Sequence, residues 1–567
     1  MKKRAIILGV LVTIGYIAVA ARLSQIMLVE HDLFTAKAKG QQIKKEAVPV
    51  KRGMILDRAG RELAVNLDTE SVFANPSEIP SPERVADSLS KGIKKNPDVI
   101  LAKLSADKKF NWIERKLDTE DTNRIKEIVK DSKLEGVGFF PEMKRFYPRG
   151  KLASHVIGYV DIDNNGLEGI EMSYHKHLTT RGENLKVVRD ARGNVLSEGQ
   201  RKEIKGNNIV LTVDEVLQHI MERNIDEVVS KYSAAAAVGI MMDPKTGEIL
   251  AMTSRPTYDP NNPADVKAGQ RRNRGITDCY EPGSTFKVIV GTAALEEKVV
   301  NPNSKFDCSA GSIEVGGGRI KDAHKHGVLT FKEVIQKSSN VGTIQIALKL
   351  GRQRVYDYIK RFGFGEKSGI DLVGEVSGAV KKPARWSGMT IGAISIGQEV
   401  AVTPLQVLRA YAAIANGGYL VKPHLVSQVV SPEGEQIYKA AIKAERILSD
   451  ENVETFRNIL KTVTEEGGTA TTAAVDGNLV AGKTGTAQLI DPRTKRYSKD
   501  RFISSFVGFV PADKPKLAMI VVVYEPRGAI YGGVVAGPVF KKIAGESLSH
   551  LSVLRDDAKE KRLVISN

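Results

Sequence analysis

The chain contains few cysteines, with only Cys279 and Cys308 among its 567 residues. Two cysteines are too few for a disulfide framework, and they do not have the spacing of metal ligands. Nothing in their sequence contexts pairs them, so we expect no bridge between them. Tryptophan is equally scarce, with two residues, and no RNA-binding aromatic signature occurs. These absences exclude a disulfide-stapled scaffold and argue against zinc-finger and RNA-recognition modules.

Acidic residues are outnumbered, with 67 Asp and Glu against 84 Lys and Arg, which gives a formal charge of +17. Such a charge predicts an anionic neighbour, either nucleic acid, an acidic membrane surface or an acidic polymer. Because no nucleic-acid motif occurs, we expect no nucleic-acid partner. His324 and His326 lie beside Asp322, but a third ligand with clear spacing is missing, so we interpret them as a solvated loop. We therefore predict neither a metal nor a cofactor.

Long apolar runs are also rare, and the clearest one covers residues 5–21 directly after the basic residues 2–4. Seventeen uncharged residues are at the short end of what spans a bilayer. Positive residues stay cytoplasmic, so the rest of the chain should lie on the far side of the membrane. Ala18-Val19-Ala20 resembles a signal-peptidase site, which leaves a cleaved signal peptide as the alternative. The length of the run, and its apolar continuation through residues 26–29, favour a retained anchor.

The chain as a whole is predicted to be an α+β multidomain protein with four parts. These are a cytoplasmic stub and transmembrane anchor (1–29), a mixed α/β domain (30–200), a large second domain (207–548) and a charged tail (549–567). Residues 30–50 read as a polar stalk, and residues 81–136 as charged helices with an extended or amphipathic insertion at 110–117. In the large domain the apolar patterns predict strands at 235–242, 248–252, 479–481, 505–510 and 517–523 among helices.

The stretch EPGSTFKVIV places Ser284 and Lys287 after a Pro-Gly break, where apolar spacing predicts that Ser284 opens a buried helix. Three residues apart, the two side chains share a helical face, so the Lys287 amine can approach the Ser284 hydroxyl. Alone the pattern has little specificity, because it recurs at Ser88–Lys91 and Ser105–Lys108.

Two further fragments follow Ser284 in order. Ser338-Ser339-Asn340 precedes a helical pattern, and Lys483-Thr484-Gly485-Thr486 ends an apolar run. Another Lys-Thr-Gly at 245–247 comes before the serine and reads as a tight turn. The ordered set Ser-x-x-Lys, Ser-x-Asn and Lys-Thr-Gly resembles the signature of penicillin-binding proteins and serine β-lactamases.

The chemistry of acyl transfer needs these residue types. A serine hydroxyl must lose its proton, and Lys287 can accept it if burial and the nearby Lys483 lower its pKa. Ser338 is the candidate proton shuttle to the leaving amine, and Asn340 can orient Lys287 and contact the substrate amide. The stretch Lys483 to Thr486 can bind a carboxylate and align an extended peptide at a strand edge. The backbone N–H groups of Ser284 and Thr486 are candidate donors to the oxyanion.

Taken over residues 40–545, the chain resembles a class B penicillin-binding protein of the division type (FtsI-like, penicillin-binding protein 3). The resemblance to the transpeptidase domain rests on LTVDEVLQ, MMDPKTGEILAM, RNRGITDCYEPGSTFK, SIGQEVAVTPLQVLRAYAAIANGG, GGTATTAA and SSFVGFVPA. RGMILDRAG, RFYPRGKLASHVIGYV and GLEGIE resemble the family's noncatalytic pedestal. The resemblance implies a penicillin-binding transpeptidase domain, with a central antiparallel sheet and a helical subdomain, raised on an elongated pedestal.

The resemblance also implies the activity and the partners. The activity is D,D-transpeptidation, which joins stem peptides of lipid-linked or nascent peptidoglycan after release of the terminal D-alanine, and β-lactams acylate the same serine. The expected location is the bacterial inner membrane, at the division septum, with the catalytic domain periplasmic. Expected partners are a glycan polymerase of the SEDS family (FtsW-like) and other divisome membrane proteins.

Several alternatives remain. Trp386-Ser387 followed by MTIGAISIGQ favours the division type over the elongation type, and a short tail favours it over the sporulation-specific type, which usually carries an extra C-terminal module. Gln398-Glu399 departs from the commoner Gln-Gly, a change expected to alter a loop near the cleft without touching a catalytic group. A β-lactamase would need a base for deacylation, of which no signal occurs. A noncatalytic divisome scaffold would not need the serine and lysine motifs.

Overall fold

The computed structural model describes residues 2–47, 51–105, 108–179, 184–189, 195–197, 205–491, 493–494 and 496–565. The chain forms two units, residues 1–52 with 179–206, and residues 53–178 with 207–567. In the first unit, helix Lys2–Ser24 continues through a π-helical turn, Gln25–Val29, and is followed by helix His31–Gln42. Strand Ile43–Ala47 pairs with Asn184–Arg189, which pairs with Val195–Ser197.

The predicted apolar run lies within the helical segment Lys2–Val29. This segment is 28 residues long with a mean hydropathy of 2.2, so it is long and apolar enough to cross a membrane. Its large apolar side chains, such as Leu8 and Ile14, are exposed to solvent in the isolated chain. A helix that exposes apolar side chains along its length fits a single-pass membrane anchor.

The pedestal of the second unit is built on one long strand, Glu62–Ala74. It pairs antiparallel with Ile55–Leu56, Asn111–Leu117 and Val137–Phe146. Helices Pro82–Ile93, Pro97–Leu104 and Thr119–Asp131 enclose a small apolar core around Val72, Leu89, Ile100, Ile113 and Ile125. The expectation of helices with an inserted extended segment over residues 81–136 is therefore confirmed.

A mixed sheet joins the pedestal to the following domain. Strand Asn208–Leu211 pairs in parallel with Ile55–Leu56 and antiparallel with Val426–Val430, which pairs with Gln436–Lys439. Short helices Ser154–Ile157, Gly169–Ser173 and His175–Leu178 pack into the same core as the large domain. Because backbone hydrogen bonds and a continuous core cross between them, the pedestal and the large domain form one compact unit.

The large domain contains a five-stranded antiparallel sheet, as predicted. Its order is Ile249–Arg255, Ala236–Met242, Leu517–Tyr524, Tyr497–Val510 and Ala481–Ile490. The first four strands contain the predicted apolar patterns. The fifth, predicted as a short strand at 479–481, instead begins at Ala481 and has ten residues, including the whole Lys-Thr-Gly-Thr stretch. We call it the edge strand because it ends the sheet.

Some helices of the large domain pack against the sheet, and others form a helical subdomain. Glu215–Lys231 and Gly537–Ile565 pack together, and the latter continues through the residues predicted as a charged tail. The helical part comprises Lys287–Glu296, Phe331–Gln336, Asn340–Leu350, Arg352–Arg361, Thr390–Ser395, Pro404–Ala415 and Asp450–Lys461. The remaining short helices are Ala268–Arg271, Arg274–Thr277 and Gly532–Val535. Three small strand pairs complete it, Lys305–Asp307 with Val328–Thr330, Ser312–Val315 with Gly318–Lys321, and Tyr419–Val421 with Ala444–Arg446.

Candidate active site

Ser284 lies in a tight turn rather than at the first position of a helix. Residues Gly283–Phe286 form a 3-10 turn, and the α-helix begins at Lys287. The turn is anchored by hydrogen bonds from the Gly283 N–H to the Gly397 carbonyl (3.1 Å) and from the Tyr411 hydroxyl to the Thr285 carbonyl (2.9 Å). Gly283 has φ of +57°, and a Cβ there would lie 3.1 Å from the Thr486 carbonyl oxygen. A glycine is thus required for the turn to approach the edge strand.

Lys287 is completely buried at the start of its helix. Its Nζ donates to the Ser338 carbonyl (2.6 Å), the Ser338 hydroxyl (3.2 Å) and the Asn340 Oδ1 (2.8 Å). Within the described residues, the hydrogen bonds of Nζ thus go to the Ser-x-Asn motif and not to Ser284. Burial lowers the pKa of Lys287 to about 7. At neutral pH a substantial fraction of this amine is therefore unprotonated and able to accept a proton.

The Ser-x-Asn segment has a constrained backbone. Ser338 adopts φ of +60°, in the left-handed region that is uncommon for residues other than glycine. Ser339 caps helix Asn340–Leu350 through a hydrogen bond from the Gly342 N–H to its hydroxyl (3.0 Å). The Asn340 amide donates from Nδ2 to the Lys321 carbonyl (2.8 Å), which leaves its Oδ1 facing Lys287. The strained serine and the capped helix together fix the two side chains that contact Lys287.

Asp322 is a site residue that the sequence argument missed. Its carboxylate accepts hydrogen bonds from the Ser339 hydroxyl (2.8 Å), the Asn340 N–H and the Val341 N–H (3.1 Å). It is also the charge that raises the pKa of Lys287, in opposition to burial. His324 and His326, its neighbours in the loop, are exposed and half-buried respectively. In the sequence, Asp322 could have been considered as a residue that caps a helix. Its loop and the helix that begins at Asn340 are separated in sequence, however, and no spacing rule connects them.

Replacement of Asp322 by alanine should slow acylation of the protein by a penicillin about 10- to 100-fold, because the Ser-x-Asn segment loses three charge-assisted hydrogen bonds. Asp322→Asn keeps an acceptor oxygen but removes the charge, so the pKa of Lys287 falls and the acid limb of the acylation rate moves to lower pH. The measurement is the acylation rate against pH. Asp307→Ala, which removes another turn-capping carboxylate of this subdomain, is the matched control. An unchanged pH midpoint in Asp322→Asn would contradict the assignment.

Lys483 lies on the edge strand and is also completely buried. Burial, and secondarily the charge of Lys287, lower its pKa well below the usual value. Its Nζ donates to the Thr484 hydroxyl at 3.3 Å. The pKa of Lys287, by contrast, is lowered by burial and raised by Asp322, so the predicted contribution of Lys483 to it is not among its causes.

The rest of the edge strand is shaped for close approach. A Cβ at Gly485 would lie 2.4 Å from the Ser505 hydroxyl and 3.0 Å from the Pro282 carbonyl. Only glycine therefore fits beneath the turn Gly283–Phe286, which we call the serine turn. Thr484 and Thr486 share the other side of the strand, where Thr484 exchanges a hydrogen bond with Thr469 (3.0 Å) and Thr486 accepts one from the Gly532 N–H (3.1 Å). Thr469 is a second neighbour of the site that sequence reasoning did not identify.

The structure thus brings the predicted site residues together. Lys287 contacts the Ser338–Asn340 segment, and the edge strand packs against the turn Gly283–Phe286, which contains Ser284. The earlier Lys-Thr-Gly copy forms a turn in which Asp243 accepts the Lys245 N–H (2.8 Å) and Gly247 has φ of +81°, as predicted. Cys279 is exposed and Cys308 is buried, and both are unbridged. Groups of three or more metal-ligating side chains do not occur in the described part of the chain.

Comparisons with known proteins identify the family of the chain. The family "Penicillin binding protein transpeptidase domain" matches residues 237–545, and "Penicillin-binding Protein dimerisation domain" matches residues 47–211. A probable peptidoglycan D,D-transpeptidase PenA of Neisseria gonorrhoeae is 35% identical over 94% of this chain and 90% of its own. Stage V sporulation protein D of Bacillus subtilis is 34% identical (98% and 86% covered), and peptidoglycan D,D-transpeptidase FtsI of Escherichia coli K12 is 32% identical (94% and 90%).

Solved structures give the same result. Penicillin-binding protein 3 of Mycobacterium tuberculosis, complexed with aztreonam, aligns with a TM-score of 0.69 at 27% identity and covers 90% of this chain and 98% of that one. The same protein complexed with ampicillin aligns with a TM-score of 0.70 at 27% identity, over 90% of this chain and 97% of that one. Both domains of the fold are therefore shared with these structures.

Proposed function

The chain belongs to the class B penicillin-binding proteins and is a peptidoglycan D,D-transpeptidase, and we propose that Ser284 is its acylated nucleophile and that it cross-links septal peptidoglycan during cell division. The observation that carries the catalytic assignment is the fully buried Lys287, whose pKa is lowered to about 7 and whose amine contacts Ser338 and Asn340. A base that is half-deprotonated near neutral pH is suited to accept the serine proton.

The proposed acylation proceeds by proton transfer from the Ser284 hydroxyl to the neutral Lys287 amine as the serine oxygen attacks the carbonyl between the two terminal D-alanines. The tetrahedral oxyanion accepts hydrogen bonds from the N–H groups of Ser284 and Thr486. Collapse breaks the peptide bond, and the proton passes through Ser338 to the amine of the departing D-alanine. The amine of a neighbouring stem peptide then attacks the acyl-enzyme, which returns the serine oxygen to its hydroxyl form.

Substrate alignment is assigned to the edge strand. Its outer edge has no strand partner within the described residues, so an extended stem peptide can add to it through backbone hydrogen bonds. The hydroxyls of Thr484 and Thr486 and the lysine at 483 form a group that suits the terminal carboxylate. Penicillins place a carboxylate and a strained amide carbonyl in comparable positions, and the acyl-enzyme they form is stable when water is not activated for deacylation.

We propose an anchor at residues 1–29, a pedestal at 30–200, a catalytic domain at 207–548 and a charged tail at 549–567. An N-terminal apolar helix supports a single-pass anchor, and the basic residues before it support a cytoplasmic N-terminus and a periplasmic catalytic domain. The membrane helix and the pedestal are the proposed contacts for a SEDS-family glycan polymerase and other divisome proteins at the septum.

Depletion of the protein from the bacterium that encodes it tests the division role. Septal synthesis predicts long filaments without septa, rescued by a plasmid copy of the native protein but not by Ser284→Ala. A role in elongation predicts swollen round cells instead, and a role confined to sporulation predicts normal vegetative growth. Either of these two phenotypes would contradict the division role while leaving the transpeptidase activity in place.

A further inference from the structure

Glu281 stands where three segments meet, directly before the serine turn. Its carboxylate accepts the Glu399 N–H at Oε1 (2.9 Å) and the Tyr497 hydroxyl at Oε2 (2.9 Å), with the same hydroxyl 3.3 Å from Oε1. Glu399 belongs to the loop after helix Thr390–Ser395, and Tyr497 begins the strand that pairs with the edge strand. We call Glu281 and these two donors the clasp. The edge strand and strand Tyr497–Val510 form a hairpin. One carboxylate therefore connects the serine turn, that loop and the end of this hairpin.

The hairpin needs such a connection because its end leaves the sheet. Pairing between the edge strand and the strand Tyr497–Val510 is regular from Ala481 to Gln488 and then shifts register before Ile490 pairs with Tyr497. Ile490 is 48% exposed and Tyr497 is 40% exposed. Thr486, whose N–H is the proposed oxyanion donor, lies on the same edge strand. Movement of the hairpin end would be transmitted along the strand to this donor.

The hydrogen-bond donors and charges around Glu281 hold its carboxylate in one position. Burial raises the pKa of the Glu281 carboxyl, while its hydrogen bonds with the Glu399 N–H and with Tyr497 lower it. The negative charge of Glu399 also raises it, but the Glu399 carboxylate is itself held by Lys381 (3.1 Å) and the Thr390 hydroxyl (3.0 Å). A half-buried carboxylate with these donors around it has a defined position rather than a solvated one.

Glu399 is the residue at which the chain departs from the commoner Gln-Gly pair. Its φ of +56° is in the left-handed region, where glycine is favoured. The prediction that this change reaches no catalytic group stays consistent with its contacts, which are Glu281, Lys381 and Thr390. Its backbone N–H nevertheless reaches Glu281, two residues before the serine turn begins at Gly283. In this conformation the loop contributes one of the two donors of the clasp.

We propose that Glu281 is a positioning residue for acylation, which holds the edge strand and its Thr486 N–H in register with Ser284 by clasping the end of the hairpin. This proposal rests on the proposed roles of Ser284 and of the Thr486 N–H. Hydrogen bonds to the oxyanion strengthen in the transition state, so a displaced donor slows the chemical step more than it weakens initial binding. The clasp should therefore affect the acylation rate constant more than the affinity for the reversibly bound antibiotic.

The test uses Tyr497→Phe in the full-length protein, with benzylpenicillin followed by stopped-flow fluorescence. Loss of the hydroxyl should lower the first-order acylation rate constant about tenfold and change the dissociation constant of the reversible complex less than about twofold. Hydrogen–deuterium exchange of the segment 488–500 should accelerate, with an unchanged midpoint of thermal unfolding. Tyr419→Phe is the matched control, because Tyr419 is 39% exposed, compared with 40% for Tyr497, and lies on a separate two-stranded sheet.

Glu281→Gln is the second variant. Its amide oxygen can still accept one hydrogen bond without the charge, so the acylation rate constant should fall less than in Tyr497→Phe. Native acylation in Tyr497→Phe, unchanged exchange of the hairpin, or slow acylation with a thermal midpoint several degrees lower would each overturn the proposal. Failure of the clasp is distinguishable from failure of the proposed function: in the first case Ser284 still carries the penicilloyl group, whereas in the second it does not.

Discussion

Ser284→Ala should form no stable penicilloyl adduct, while the protein remains folded. Ser284 is half-buried, so removal of its hydroxyl creates no large core cavity and the thermal midpoint should be preserved. Without the nucleophile, labelling by a fluorescent penicillin should fall by a factor of at least about 10³. In the native protein, digestion with trypsin and mass spectrometry should locate the adduct in the peptide from Gly275 to Lys287.

A matched control exists within the same chain. Ser105 is followed three residues later by Lys108, so Ser105→Ala removes a serine from an identical Ser-x-x-Lys pattern in the pedestal. This variant should label like the native protein. A folded Ser284→Ala protein that still labels would require another nucleophile, and an adduct that is hydrolysed within minutes would indicate a β-lactamase instead of a transpeptidase.

The acylation rate of the native protein should depend on pH through Lys287. Burial disfavours the ammonium form, so the pKa falls from 10.5 to about 7 and the active neutral amine predominates above that value. The second-order rate constant for penicillin should therefore rise about tenfold per pH unit below pH 7 and level off above it. A depressed lysine pKa also means that folding releases a proton, so this residue makes the folded state more stable as pH rises between about 7 and 10.5.

Lys287→Ala should lower the acylation rate at pH 8 about 10³-fold, and the remaining rate should lose the pH dependence centred near 7. Stopped-flow acylation at a series of pH values measures both effects. Lys91→Ala, which removes the lysine of the Ser88–Lys91 pattern in the pedestal, is the control and should leave the profile unchanged. A native profile with its midpoint above pH 9 would show that Lys287 remains protonated in the folded protein and would contradict its role as the base.

Four strands of the central sheet could be predicted from the sequence because they are apolar on both faces. Ala236–Met242 is buried at every position, and its uninterrupted apolar sequence indicates such a strand without knowledge of the neighbouring strands. The edge strand could not be located in the same way. Lys483 and Gly485 have low strand preference, and their extended conformation results from pairing with Val507 and Ser505 on the adjacent strand.

The turn at Ser284 shows the same limit on a smaller scale. Pro282 and Gly283 correctly indicate a break, and the apolar residues beyond them correctly indicate a buried helix. The first α-helical residue, however, is Lys287, because hydrogen bonds from Gly283 to Gly397 and from Tyr411 to Thr285 hold the preceding turn. Local sequence has no access to these partners, which come from other elements of the fold.

The sequence by itself determined which chemical groups are available and in what order they occur: a hydroxyl at 284, amines at 287 and 483, and an amide at 340. Only the tertiary structure decided what those groups can do. The pKa of a lysine depends on desolvation and on neighbouring charges, and both arise where distant segments pack together. The pKa of Lys287 falls because the fold buries its amine, which suits the proposed role as base, and Asp322 joins the site because its loop returns to cap the helix that begins at Asn340.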